Sequence, residues 1–336
     1  MQDALSKQVS ASLLDAYMRC PARFYYERLI GLTPADEVRE GDDPPAIGNL
    51  FHFVLKNIYA PLENTLLPGG DALESMLYSR IMEDFFTSPD YRALCENLSA
   101  DSRAMLAQTA KKHMADYLRA QPPTRPLALE KELTASFTRN GKSWSLKGII
   151  DRMDMRPGSR KYEQTEDEQP GSPLAEKSWE IVILDYKTGR VQAPASGFWT
   201  DTDLFARLAA WQPGEDNETA LLQELASRMR SVQLPLYLLL HALHSEATGQ
   251  GELRAAEACW VALGERGQEV SLFPKKISGE ERDAILRIHI PEIVYFLLRH
   301  MSESSQLAAC PGQHCLWCSA AKLCKVHSKS AIFSIP

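Results

Sequence analysis

Two short stretches decide the fold of this chain: Gly148-Ile-Ile-Asp-Arg-Met-Asp154 and Ile183-Leu-Asp-Tyr-Lys-Thr-Gly189. In each stretch, acidic residues stand at the edge of an apolar run, which predicts a buried β-strand that ends at a polar site. Asp185 and Lys187 are two residues apart, so on a strand their side chains share a face. Carboxylates beside an ammonium group suit metal-assisted hydrolysis, because carboxylates hold a hard divalent cation and a lysine orients the attacking water. The two stretches therefore indicate a hydrolytic site on adjacent strands.

The segments around these stretches predict a mixed α/β fold. Residues 127–138 and 143–154 are β-rich, and the Asn140-Gly141 dipeptide between them is a strong hairpin signal. Near the start of the chain, apolar spacing predicts a helical segment over residues 9–30, in which Pro21 either kinks the helix or starts a second one. The remaining expectations are helices over 71–120, 217–246 and 278–303, and an exposed polar loop over 156–179.

The composition is that of a globular protein, with 336 residues of which 44% are hydrophobic and 24% charged. No apolar run reaches the roughly 18 residues needed to span a bilayer, so we expect no membrane association. The N-terminal residues lack a basic segment followed by an apolar one, which favours a cytoplasmic protein. The net charge is −7, so contact with nucleic acid would depend on local basic groups or a bound metal.

Two further pairs of residues with helical spacing flank the acidic stretches. Gly48 and His52 are four residues apart in a segment that predicts a helix. Gln233 and Tyr237 are also four apart, so both side chains lie on one helix face. An imidazole is a common metal ligand, while a glutamine amide and a tyrosine hydroxyl suit the positioning of a substrate strand and of the lysine.

In this order, the four motifs resemble those of the PD-(D/E)XK nuclease superfamily, in its RecB/AddB-like branch. The resemblance runs from residue 48 to residue 237. It implies a restriction-endonuclease-like α/β core with a central mixed β-sheet flanked by helices, together with an N-terminal helical segment and a C-terminal cysteine-bearing tail. It also implies Mg²⁺ or Mn²⁺ as cofactor and DNA as partner.

The resemblance also implies a role for each motif residue. The implied metal ligands are His52, Asp151, Asp185 and the backbone carbonyl of Tyr186. The implied catalytic set is Asp151, Asp185, Lys187, Gln233 and Tyr237. Spacing alone suggests Arg152 and Arg190 as phosphate contacts. Glu132 has two interpretations, a neighbour of the site or a solvated strand-edge residue, and the second is favoured.

The C-terminal end of the chain carries a compact set of cysteines, Cys315, Cys318 and Cys324. In a reducing cytosol such a set indicates a metal site more than disulfides. Members of the same branch join three C-terminal cysteines to an N-terminal one, and Cys20 stands at that position. The resemblance therefore implies a 4Fe–4S cluster held by the four cysteines. Zinc stays the alternative, since four thiolates also suit it, and Cys310 and His314 lie near enough to replace a ligand.

Together these features predict one nuclease domain over residues 1–336. Its expected parts are a mostly helical segment (1–125), a catalytic core (126–275), and a C-terminal helix with its tail (276–336). The expected activity is metal-dependent DNA cleavage, exonucleolytic and on single strands, in recombination and double-strand-break repair, with an AddAB-type helicase subunit as candidate partner. Two other classes stay open: a non-catalytic DNA-binding module and a structural zinc scaffold.

Overall fold

The fold is known from a computed structural model. It describes residue 5 and residues 7–32, 44–96, 98–157, 179–214, 218–249, 255–304, 308–321 and 323–324. Most of the loop expected over 156–179 lies outside the described residues.

Six strands form one mixed sheet. They are β1 (Val9–Ser10), β2 (Arg125–Arg139), β3 (Lys142–Pro157), β4 (Trp179–Lys187), β5 (Ala255–Ala262) and β6 (Gln268–Ser271). The strand order is β1-β3-β4-β5-β6, and β2 also pairs with β3. β1 runs parallel to β3 and β4 runs parallel to β5, while the other pairs are antiparallel. The predicted α/β class with a central mixed sheet is therefore confirmed.

Eleven helices are described around this sheet, apart from short 3₁₀ and π turns. They are α1 (Ala11–Arg19), α2 (Pro21–Phe24), α3 (Pro44–Tyr59), α4 (Gly70–Thr87), α5 (Pro89–Glu96), α6 (Ala100–Ala120), α7 (Thr202–Ala210), α8 (Glu218–Met229), α9 (Gln233–Ala247), α10 (Gly279–Ala284) and α11 (Ile290–Glu303). Of the two alternatives expected at Pro21, the structure shows the start of a second helix, because Cys20 is extended before it. Within the described residues, no helix is long and apolar enough to cross a membrane.

The hairpin predicted at Asn140-Gly141 is present between β2 and β3. Both residues have positive φ, 49° and 75°, which the two-residue turns of hairpins require and which Asn and Gly tolerate. The turn joins the directly paired residues Arg139 and Lys142. It therefore sets the register of the β2–β3 ladder as far as the pair Ala128 and Met153, beyond which the register shifts.

Both faces of the sheet are covered, each by its own hydrophobic core. Along β4, Ile181 and Ile183 enter a first core beneath α1, α7, α8, α9 and α11, whereas Val182, Leu184 and Tyr186 enter a second core beneath α3, α4 and α6. A strand buried on both faces reads as a continuous apolar run, as β4 does. This run brings the polar end of β4 into the middle of the molecule.

Candidate active site

The two acidic stretches meet where the ladder between β3 and β4 ends. Its last pair is Arg152 with Leu184, and Asp151 and Asp185 are the next residues on the two strands. Both residues are buried: 8% of the surface of Asp151 and 1% of that of Asp185 is exposed. The backbone N–H of Tyr186 donates a hydrogen bond of 2.7 Å to the Asp151 carboxylate. Antiparallel pairing thus brings together acidic residues that are 34 positions apart.

The predicted lysine and the predicted helix pair lie beside Asp185. Lys187 forms an ion pair with the Asp185 carboxylate. The side-chain amide of Gln233 donates to Asp185 Oδ1 at 2.8 Å and to the hydroxyl oxygen of Tyr237 at 2.9 Å. Asp185 is therefore held on one side by a cation and on the other by an amide at the start of α9.

Gly148 allows α9 to pack closely against β3. A Cβ atom at this position would lie 2.8 Å from Tyr237 Cε1 and 2.9 Å from Leu240 Cδ1. Both distances are shorter than van der Waals contact between carbon atoms. The glycine that opens the first acidic stretch therefore leaves the space that the Tyr237 ring occupies.

A group of possible metal ligands lies at the other side of Asp151. His52 Nδ1 is 3.5 Å from Asp151 Oδ2 and 3.9 Å from Glu130 Oε1. One ligand atom of each of these three residues lies within 4.8 Å of the others. His52 Nε2 is 3.2 Å from the backbone carbonyl oxygen of Tyr186. His52, Asp151 and the Tyr186 carbonyl thus converge, while Asp185 stands next to this group with its carboxylate engaged by Lys187.

Glu130 was absent from the residues singled out in the sequence, yet the hairpin register points to it. Leu129 pairs with Arg152 and Lys131 pairs with Ile150, so Glu130 stands opposite Asp151. Its φ of +46° departs from extended backbone. Counting back from the Asn140-Gly141 turn would have selected residue 130 rather than residue 132.

The electrostatics of the group are those of crowded, buried carboxyl groups. Burial, together with the neighbouring Asp185, raises the pKa of Asp151 to about 7. Burial also raises the pKa of Asp185, against the opposing effect of Lys187. For His52, burial lowers the pKa, but the nearby carboxylates of Glu130, Asp151 and Asp185 outweigh it and the net shift is upward. A divalent cation between these groups would favour their ionised forms.

Arg152 is not a phosphate contact, and that prediction is wrong. The residue is 0% exposed, and its guanidinium donates to Asp154 at 2.7 Å and to the Tyr186 hydroxyl at 3.1 Å. Ile150 and Met153 both face the first core, so the alternation of faces changes between them. That change turns Arg152 toward the second core, where it contacts Tyr59 and Tyr186, instead of toward the first core that Ile150 faces.

Glu132 and Arg190 both lie at the surface. Exposure of Glu132 agrees with the favoured interpretation of a solvated strand-edge residue. Arg190 is two residues beyond Thr188, which lines the cavity described next, and its contact with phosphate stays a prediction.

A cavity of about 520 Å³ opens over the possible metal ligands. Its walls include His52, Glu130 and Lys187 from the site, and Phe53 and Lys56 from α3. The cavity gives a substrate access to His52, Glu130 and Lys187 at the ends of the strands.

The N-terminal cysteine lies against the C-terminal tail. Cys20 is buried between α1 and α2, and its sulfur accepts hydrogen bonds of 3.4 Å from the backbone N–H groups of Arg23 and Cys310. The N–H of Ala22 donates to the carbonyl of Ala308 at 3.0 Å. The segment that precedes the cysteine set therefore packs on the end of α1.

The other three predicted cluster ligands follow in the tail and are half-buried: Cys315, Cys318 and Cys324. All seven cysteines are free thiols. Among the residues that the structure describes, the group of His52, Glu130 and Asp151 is the one in which three ligand atoms lie within 4.8 Å of one another. The sulfurs of a 4Fe–4S cluster are further apart, at up to about 7 Å, so the cluster stays a prediction.

Carboxylates and a lysine at the ends of two paired strands, next to a histidine–carboxylate group, are the arrangement expected of a metal-dependent nuclease. The family model of the PD-(D/E)XK nuclease superfamily matches residues 8–163 and 174–325 of the chain. The chain belongs to this superfamily. It is therefore a nuclease of the metal-dependent class, with DNA as its substrate class.

Two further comparisons add little to this assignment. A search of curated proteins finds no match. Among solved structures, the chain is similar to the crystal structure of SSO0001, with 13% sequence identity and a TM-score of 0.29 over 97% of this chain and 92% of that one. At this TM-score we draw nothing from the resemblance.

Proposed function

We propose that the protein is a Mg²⁺- or Mn²⁺-dependent deoxyribonuclease that degrades DNA from its ends and prefers single strands. The observation that carries the proposal is the convergence of His52, Glu130 and Asp151, of which His52 and Glu130 line one cavity together with Lys187. An imidazole nitrogen and carboxylate oxygens suit Mn²⁺, and the oxygen donors also suit Mg²⁺.

His52, Glu130 and Asp151 would hold the cation, with Asp185 and the Tyr186 carbonyl as the further ligands that the family resemblance implies. When bound, a divalent cation stabilises negative charge on the scissile phosphate and lowers the pKa of an attacking water. Burial and the neighbouring Asp185 raise the pKa of Asp151, and such shifts of buried carboxyl groups are typical of functional sites.

The side chains of the site have separate tasks in this proposal. The Lys187 ammonium orients the attacking water and offsets charge that develops on the phosphate. Asp185 holds that ammonium in place through their ion pair. Gln233 fixes the orientation of Asp185 by its hydrogen bond of 2.8 Å, and Tyr237 fixes Gln233 in turn.

The decisive experiment compares two lysines that each form an ion pair. Lys187→Met should abolish Mn²⁺-dependent cleavage of end-labelled DNA, because it removes the ammonium beside Asp185. Lys142→Met is the matched control, since Lys142 pairs with Glu303 and lies nine residues before Asp151 on β3, about 30 Å away along the strand. Full activity in Lys187→Met, or equal loss in both variants, would overturn the catalytic assignment.

We propose in addition that Cys20, Cys315, Cys318 and Cys324 hold a 4Fe–4S cluster, with zinc as the alternative metal. The support is the contact of the Cys20 sulfur with the tail segment at Cys310. Protein purified without oxygen should contain about four iron atoms per chain and show a brown colour. Cys20→Ala should lose both, whereas Cys95→Ala, a half-buried thiol on α5, should keep both. A colourless protein with one zinc atom would favour the alternative.

We propose recombination and double-strand-break repair in the cytoplasm as the role of this activity, with an AddAB-type helicase subunit as partner. The support is the resemblance of the motifs to the RecB/AddB-like branch. A nuclease in this role should digest linear DNA and spare a closed circle of the same sequence. Labels at the 5′ and 3′ ends would report the polarity. Rapid cleavage of closed circular DNA would contradict an end-dependent mode.

A further inference from the structure

One face of α3 carries an exposed aromatic ring beside the possible metal ligands. Asn49, Phe53 and Lys56 follow one another at helical spacing of four and three residues, so they form one stripe. All three are exposed and line the 520 Å³ cavity. Phe53 is 42% exposed, although it directly follows His52, whose Nδ1 lies 3.5 Å from the Asp151 carboxylate.

Among the described residues, the ring of Phe53 does not take part in packing α3 against the rest of the protein. The other face of α3 already supplies its apolar contacts to the second core through a buried set, Leu50, Phe51, Val54, Leu55, Ile58 and Tyr59. Single exposed apolar residues are common on protein surfaces. Phe53 differs from them in its place, since it shares one cavity with His52, Glu130 and Lys187.

Lys56 supplies a positive charge one turn beyond the ring. Within the described part of the chain, no carboxylate forms an ion pair with Lys56. A free ammonium in a cavity beside possible metal ligands suits the phosphate next to the one being cleaved. The stripe thus combines an apolar ring face with a cation at a spacing of three residues.

We propose that this stripe binds one nucleotide of a single DNA strand, with the ring of Phe53 stacked on an unpaired base and Lys56 on its phosphate. This inference rests on the proposed function as a deoxyribonuclease and identifies the residues that give its preference for single strands. Bases in a duplex stack on their neighbours, so a ring on a helix surface reaches a base face only when the strand is single. The stripe therefore favours single strands and strand ends over duplex interiors.

The test measures DNA binding by Phe53→Leu, which keeps an apolar side chain but removes the stacking ring. Binding of a fluorescent single-stranded oligonucleotide and of a duplex of equal length is followed by anisotropy, in a Lys187→Met background so that nothing is cleaved. Single-strand affinity should fall roughly 5- to 150-fold, the range for loss of one base–aromatic stack. Duplex affinity should change less than about twofold, and Phe53→Trp should bind single strands at least as well as the parent.

Trp179→Leu is the matched control. Trp179 has the same exposure as Phe53, 42%, but stands at the start of β4, eight residues before Lys187 and about 26 Å away along the strand. Its loss should leave both affinities unchanged. For Lys56→Met, the slope of log affinity for single strands against log salt concentration should become shallower, by the amount that about one phosphate contact contributes.

A set of oligonucleotides, each with one abasic position, identifies the stacked base. The parent should bind one of them distinctly more weakly, and Phe53→Leu should not distinguish that one from the others. If Phe53→Leu matches Trp179→Leu, or if single-strand and duplex affinities fall equally, the stacking site is refuted. In that case cleavage by the wild-type protein would leave the proposed nuclease intact, whereas failure of the wild type to cleave any DNA would refute the proposed function itself.

Discussion

Replacement of Arg152 by methionine tests whether the buried ion pair of β3 stabilises the fold. The change keeps an unbranched side chain of similar length but removes the guanidinium that contacts Asp154, Tyr186 and Tyr59. Removal of one partner of a buried ion pair costs roughly 3–5 kcal/mol. Asp154 retains Arg156 at 3.1 Å, so we expect the lower end of that range, about 3 kcal/mol.

The assay is urea unfolding followed by circular dichroism, with the free energy of unfolding taken from the midpoint and slope. Arg119→Met serves as control, because Arg119 donates two hydrogen bonds to Glu74 at 2.6 and 2.7 Å but is 52% exposed. Water and salt screen an exposed pair, so this control should cost far less. Equal costs for the two variants would refute the reasoning from burial.

Two further measurements test the effects of the unpaired Asp154 carboxylate and of the contact between Arg152 and Tyr186. The double variant Arg152→Met/Asp154→Leu should be more stable than Arg152→Met alone, because it no longer buries a carboxylate that has lost its main partner. Arg152→Met should also weaken Mn²⁺ binding. Its guanidinium donates to the Tyr186 hydroxyl, and the backbone of Tyr186 contacts both Asp151 and His52.

Glu130→Gln should lower Mn²⁺ affinity about tenfold or more in a calorimetric titration, because it removes one anionic ligand; unchanged affinity would exclude Glu130 from the metal site. Gly148→Ala should reduce activity and stability together, because its Cβ would lie 2.8 Å from the Tyr237 ring; wild-type values for both would show that α9 shifts without consequence. Burial raises the pKa of Glu257 to about 7 from its ordinary 4.5, so its contribution to stability is fully present below pH 4.5 and is lost as the pH rises from 4.5 to about 7. Glu257→Gln should therefore gain stability relative to wild type between pH 5 and pH 8, and a constant difference across that range would contradict the assignment.

Local sequence signals were sufficient where they depended on spacing along one element. Three features could be predicted because each depends only on neighbouring residues. They are the buried strand β4, the hairpin turn at Asn140-Gly141, and the placement of Gln233 and Tyr237 on one face of a helix. Glu130 was also within reach, because the register of a two-residue hairpin follows from its turn. Glu132 lies on the same strand but pairs with Ile149, two residues before Asp151.

Other features could not be predicted because they depend on packing between distant elements. The orientation of Arg152 follows from a change of face within β3, and strand alternation predicts inside and outside only while that alternation holds. The exposure of Phe53 depends on which side of α3 the second core covers. Neither the orientation of Arg152 nor the exposure of Phe53 can be predicted from the spacing of apolar residues in its own strand or helix.

The contact between the first and last helices has a consequence for synthesis of the protein on the ribosome. Tyr17 of α1 hydrogen-bonds through its hydroxyl to His300 of α11 at 2.8 Å, across 283 positions of the chain. Folds with such distant contacts form slowly, because a long segment must close before these contacts stabilise it. A nascent chain that has reached Asp185 has exposed both acidic stretches but has not yet made α9, β5 or α11. The nuclease site is therefore completed only after α9 has been synthesised, because Gln233 at its start contacts Asp185.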